Sequence, residues 1–195
     1  MQIIKHRINS SDDLHKTDKE FGVEVDLRTN DNQIILQHDP FSEGEVFTDW
    51  IKNFDHKTLI LNVKEEGLEK EIINILKENS IEDFFFLDLS FPFLVKTAIS
   101  GETRIASRVS EFESLETIDK IKDLISWVWI DYFSYFPLKE SDLIRIKDLG
   151  LRTCIVSPEL QGFDPQNEVS KIKDCIINYR DLFDAVCTKY PELWT

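Results

Sequence analysis

The chain has 195 residues, 42% of them hydrophobic and 11% aromatic, enough to bury the core of one globular domain spanning 1–195. Its formal net charge of −14 excludes a broad surface for nucleic acid or anionic lipid, since both reward clustered Lys and Arg, and leaves room only for a local basic pocket. No apolar run reaches the roughly 20 residues that cross a bilayer, because Asp88 and Pro92 interrupt the greasiest stretch, FFFLDLSFPFLV.

Met1-Gln2-Ile3-Ile4 runs directly into Lys5-His6-Arg7 without the pattern of a secretory leader. Cys154, Cys175 and Cys187 are odd in number and form no CxxC pair, so reduced thiols and a cytoplasmic setting are expected. Residues 3–6 read as a first strand, and Ser10 or Ser11 caps a helix whose first turn is acidic.

Residues 22–39, GVEVDLRTNDNQIILQHD, are the pivotal stretch. Val23, Val25 and Leu27 alternate with Glu24, Asp26 and Arg28, the period of a strand. TNDN supplies turn residues, and Ile34-Ile35-Leu36 returns as a second strand that Pro40 halts. An ordinary hairpin would turn Glu24 and Asp26 to water. Two carboxylates two positions apart also converge on one point, as a hard cation requires.

VFTDWIKNF follows as a short amphipathic helix, and then strands alternate with helical patterns. Strand 59–64 precedes a segment of 3.6-residue periodicity in GLEKEIINILKENS. Strand 84–90 precedes FPFLVKTAISG, closed by Gly101. Strand 103–110 precedes LETIDKIKDL, 127–133 precedes KESDLIRIKDLG, and 152–157 leads through a loop to NEVSKIKDCIINYR. Residues 184–189 form the last strand.

Eight strands separated by helices predict an α/β fold with a parallel sheet, closed as a compact (β/α)8 TIM-type barrel. Alternation alone does not exclude an open doubly wound sheet, but no GxGxxG turn follows the first strand. In a barrel the site gathers at the C-terminal ends of the strands. Polar residues fall there on nearly every one: His6-Arg7; Glu24, Asp26 and Arg28; Asn62 and Lys64; Asp88 and Ser90; Arg108; Asp131; Ser157 and Glu159; Lys189.

That set suits metal-assisted work on an anion. Glu24 and Asp26 offer hard oxygens to Mg²⁺ or Ca²⁺. Arg7, Lys64 and Arg108 can neutralise a phosphate. His6 and His38 carry imidazoles, the side chain whose ordinary pKa is nearest neutrality, and suit acid and base roles on opposite sides of one phosphorus. Lys64 could instead pair with a carboxylate, and Trp127, Trp129 and Tyr132 either stack on a sugar-like group or fill the interior.

His6-Arg7, Glu24-x-Asp26 and His38-Asp39 together resemble the signature of glycerophosphodiester phosphodiesterases and related phospholipase-C-like phosphodiesterases. LNVK at 61–64 resembles that family's Glu-x-Lys strand, Ser90-Phe91 its Ser-Phe, and FDAVCTKYPELW its closing stretch. The resemblance implies a (β/α)8 barrel, usually with a divalent metal. It also implies two histidines that cleave a phosphodiester whose alcohol bears a neighbouring hydroxyl. Carried over, His6 and His38 are that pair, Glu24 and Asp26 are metal ligands, and Arg7 and Lys64 contact phosphate.

The departures are specific. Asn62 stands where the family places a third carboxylate ligand; its amide oxygen can still bind a hard cation with one charge fewer, and Asp88 or Asp131 could compensate. Ile8 replaces the Gly after His-Arg, the downstream Glu-Asn-Thr is missing, and Lys189 replaces an Asp, adding positive charge for a phosphate. The insertion after His38-Asp39 shrinks to about PFSEGEVF. The expected activity is that of a phosphoric diester hydrolase on a small, soluble glycerol-, polyol- or sugar-phosphodiester, with no nucleic-acid partner and no membrane insertion. Two alternatives stand beside it. One is a weakened phosphate-ligand-binding or regulatory barrel, motivated by Asn62 and Lys189; the other is a lyase that releases a cyclic phosphate.

Overall fold

The computed structural model describes residues 1–195. In chain order the elements are β1 (Gln2–Lys5), α1 (Ser11–Lys16), β2 (Gly22–Asn30), β3 (Gln33–Leu36), β4 (Glu45–Val46), α2 (Phe47–Trp50), β5 (Leu59–Val63), α3 (Glu69–Glu78), β6 (Phe84–Leu87) and α4 (Phe91–Ile99). They continue with β7 (Ala106–Val109), α5 (Leu115–Ile121), β8 (Trp127–Ile130), α6 (Glu140–Asp148), β9 (Arg152–Val156), α7 (Pro165–Ile176) and β10 (Ala185–Thr188). They fall into two compact units, His6–Glu102 and Met1–Lys5 with Thr103–Thr195.

In the unit His6–Glu102, β2 is the central strand. It pairs in parallel with β5, and β5 with β6; on its other side it pairs antiparallel with β3, and β3 with β4. Asp31 and Asn32, at φ 47° and 63°, form the β2–β3 turn, which needs residues that tolerate left-handed backbone. The short strand β4 arises within what the sequence presents as a loop.

Val23, Val25 and Leu27 are fully buried, and so are Glu24 and Asp26 on the opposite face. The half-solvated hairpin that the alternation also allowed is therefore not what forms. In the parallel register Asp26 faces Asn62, and the ladder continues with Lys64 N donating to Leu27 O at 3.0 Å. Glu24, Asp26, Asn62 and Lys64 thus share one face. Strand β6 stops at Leu87, three residues earlier than its apolar run suggests, because Asp88 turns to φ 61°.

In the other unit β1, β10, β9, β8 and β7 lie side by side, all parallel. The first strand pairs with the last, Gln2 facing Ala185 and Lys5 facing Thr188. Ser114 caps α5 by accepting from Glu116 N, and Asp164 caps α7 by accepting from Asn167 N, with Pro165 in the first turn. Trp127, Trp129 and Tyr132 are buried, so these rings fill the interior and offer no face to a sugar.

Ser157, just past β9, and Glu159, in the 3₁₀ turn Pro158–Gln161 that follows, belong to a buried network. Trp194 Nε1 donates to Ser157 Oγ at 2.8 Å, and Ser157 donates to Glu159. Glu159 Oε1 also accepts from Thr188 Oγ1 at 2.6 Å and Lys189 N at 2.9 Å. Cys154, Cys175 and Cys187 are unbridged. No helix is long and apolar enough to cross a membrane.

Candidate active site

The site is built on two residues of β2, Glu24 and Asp26, and each anchors a histidine-bearing segment through its main chain. Ile8 N donates to Glu24 O at 2.8 Å, which draws in the segment of His6 and Arg7. Gln37 N donates to Asp26 O at 2.9 Å, which does the same for His38.

Arg7 holds a left-handed φ of 56°, costly for a residue with a side chain. That turn brings its amide within 2.8 Å of Glu24 Oε2, while its Nε lies 3.6 Å from Asp26 Oδ2. His6 Nε2 lies 3.7 Å from Glu24 Oε2. Asn9 clamps Asp26 twice, donating Nδ2 to Oδ2 and accepting the Asp26 N–H at Oδ1, both at 2.9 Å. Lys64 Nζ bridges Asp26 Oδ1 at 3.3 Å and Asp88 Oδ2 at 3.6 Å. It therefore pairs with carboxylates, and its ammonium stays part-exposed at the edge of the site.

Burial, reinforced by the charge of Asp26, pushes the Glu24 carboxyl from 4.5 up to about 7, against the opposing pull of Arg7 N–H, Asn62 and Lys64. His38 sits at the surface with Nδ1 2.8 Å from Asp39 Oδ1, and that hydrogen bond holds the Asp39 carboxyl below its usual range. The His38 carbonyl accepts from Arg28 Nε at 3.0 Å.

The donor set fits a hard divalent ion, with a neutral third member. Asp26 Oδ1 and Asn62 Oδ1 are buried and accept no hydrogen bond, although Lys64 faces the former. With Glu24 they present oxygen atoms from adjacent strands. Asn62 donates Nδ2 to Glu24 Oε1 at 3.0 Å, and no third acidic, histidine or cysteine side chain completes a metal-sized cluster. Asp88 faces the Lys64 ammonium.

Of the other residues singled out, Arg108, Asp131 and Lys189 belong to the second unit. There the fully buried Asp131 accepts from Arg108 and, at 2.7 Å, from Gln161 Nε2. Lys189 is exposed, its main-chain N–H spent on Glu159. Asn9 and Glu65 stand in no motif of the sequence that would single them out. Arg28 shows there only as a member of the polar face, its place two residues past Asp26 being the one signal.

No family model and no curated protein matches the sequence. Solved structures do match. A glycerophosphodiester phosphodiesterase from Agrobacterium tumefaciens superposes with a TM-score of 0.70 at 12% identity, covering 100% of this chain and 99% of that one. A glycerophosphoryl diester phosphodiesterase from Parabacteroides distasonis superposes with a TM-score of 0.64 at 14% identity, covering 98% and 84%. The chain has their fold. This sets the fold class as the (β/α)8 barrel type rather than the open doubly wound sheet.

Proposed function

We propose that the chain is a phosphoric diester hydrolase acting on a small phosphodiester of glycerol, another polyol or a sugar. The observation that carries this reading is the double anchoring on β2: both histidine-bearing segments hang on the main chain of the buried carboxylate pair. Solvated structural residues would have no reason to be gathered this way.

In this reading Arg7 and Lys64 receive the phosphate, their cations part-exposed while their counter-charges lie buried beneath. One histidine takes the proton of the attacking hydroxyl as its oxygen bonds to phosphorus. The other gives a proton to the departing alkoxide as the old P–O bond breaks; where the attacker is the neighbouring hydroxyl, water then adds to the cyclic phosphate and its ring P–O bond breaks, with the two histidines exchanging roles. Glu24, Asp26 and the Asn62 amide oxygen are the residues that would hold a divalent cation, Mg²⁺ or Ca²⁺. Such an ion, when bound, stabilises the charge that builds on the phosphoryl oxygens. Asn62 makes the set one charge poorer than three carboxylates, so weak metal affinity is expected.

The test is turnover of glycerophosphodiesters and an aryl phosphodiester in EDTA, then with Mg²⁺, Ca²⁺ or Mn²⁺ restored. Metal-restored cleavage is expected, with His6→Ala and His38→Ala each losing about 10²–10⁴-fold. A cyclic product would mark the lyase. Absence of turnover, with a phosphodiester still raising the melting temperature, would replace the hydrolase by a binding protein.

A further inference from the structure

We infer that Arg28 is the positioning residue for His38, and that Glu65 in turn sets Arg28. The assignment to catalysis rests on the phosphodiesterase reading above; the positioning itself does not. Arg28 lies two residues past Asp26 on the same face of β2, its side chain largely buried. Its Nε donates to the main-chain oxygen of His38 at 3.0 Å, and its Nη1 lies 3.8 Å from Glu65 Oε1. The other oxygen of Glu65 accepts from Thr29 N at 3.2 Å and from Thr29 Oγ1, so the carboxylate is itself held on β2.

The segment that needs holding is plain from its backbone. His38 and Asp39 lie beyond the last residue of β3, and Phe41 turns to φ 61° with its ring fully exposed. Gln37 N on Asp26 O ties the segment to β2, while Gln37 Nε2 on Glu43 O at 2.7 Å and Asp39 N on Gln37 Oε1 at 3.1 Å brace the loop only on itself. The Arg28 bond, one residue on, adds a second tie from the loop to β2. The guanidinium is suited to this work because its planar fork addresses His38 and Glu65 at once in fixed geometry. Because that fork already faces His38 O and Glu65, it acts through His38 rather than on phosphate.

The experiment compares Arg28→Met, Arg28→Lys and Glu65→Gln with the wild type by steady-state kinetics and by amide hydrogen exchange of residues 37–41. Arg28→Met is expected to lower kcat by roughly 100-fold with KM held within about twofold, the signature of a misplaced reacting group. Glu65→Gln is expected to lower kcat by about tenfold, and Arg28→Lys to recover part of the loss by donating to the same carbonyl. Exchange at 37–41 should quicken in the same order. A raised KM at unchanged kcat would overturn the inference in favour of direct substrate contact. Unchanged exchange in Arg28→Met would overturn it outright. Should the wild type show no turnover, the phosphodiesterase reading falls and exchange alone decides the positioning. Glu65→Gln, at a part-exposed site, keeps the question decidable if Arg28→Met does not fold.

Discussion

Burial raises the Glu24 carboxyl to about 7, and Asp26 beside it adds to the rise, so the folded chain keeps this proton over a pH range where the unfolded chain has lost it. The stability the group contributes is complete below about 4.5 and is lost as pH rises through about 7. Glu24→Gln, which fixes the neutral state, should therefore melt increasingly higher than the wild type as pH climbs through that window in metal-free buffer. Parallel melting curves across the window would show that the carboxyl titrates normally. The sequence disclosed Glu24 and Asp26 because a period of two is local. It could not disclose Asn9, whose clamp on Asp26 crosses 17 positions, or the fact that Asn62 turns its amide N–H toward Glu24. Side-chain orientation across strands is a property of register, which no single segment contains.

Among the elements, the loop that carries His38 returns to β3 at Gly44. A Cβ there would lie 2.3 Å from Leu36 O, a clash with main chain that no rotamer relieves. Gly44→Ala is expected to cost about 1–3 kcal/mol, as forced overpacking does, and to lower kcat because the displaced loop bears His38. A variant with wild-type melting temperature and kcat would mean that the loop is free to move aside. The eight strands of the alternating pattern were legible because their apolar runs are dense, and all eight form. Their ends were not. Asp88 leaves extended backbone where FFFLDLS reads as continuous strand, and 103–105 precede β7 rather than joining it. The helical patterns also tighten into 3₁₀ turns at 51–53 and 122–124, where too few residues remain for another α-turn.

For the whole molecule, alternation of strand and helix made a parallel topology readable, but which strands meet depends on contacts between distant parts of the chain. The clearest case is β1 on β10. Deleting residues 2–5 would strip β10 of a neighbour and remove the fully buried Ile4, exposing a strand edge. Loss of the cooperative melt and concentration-dependent aggregation are expected; a soluble, cooperatively melting deletion variant would show that the sheet stands without its first strand.

The same pairing sets a schedule for the newborn chain. β1 is synthesised roughly 180 residues before its partner β10, which at about 5–20 residues per second is a delay of about 10–40 seconds. Ile3 and Ile4 wait through that interval with no strand from their own unit beside them, a period in which a chaperone or a neighbouring nascent chain can reach them first.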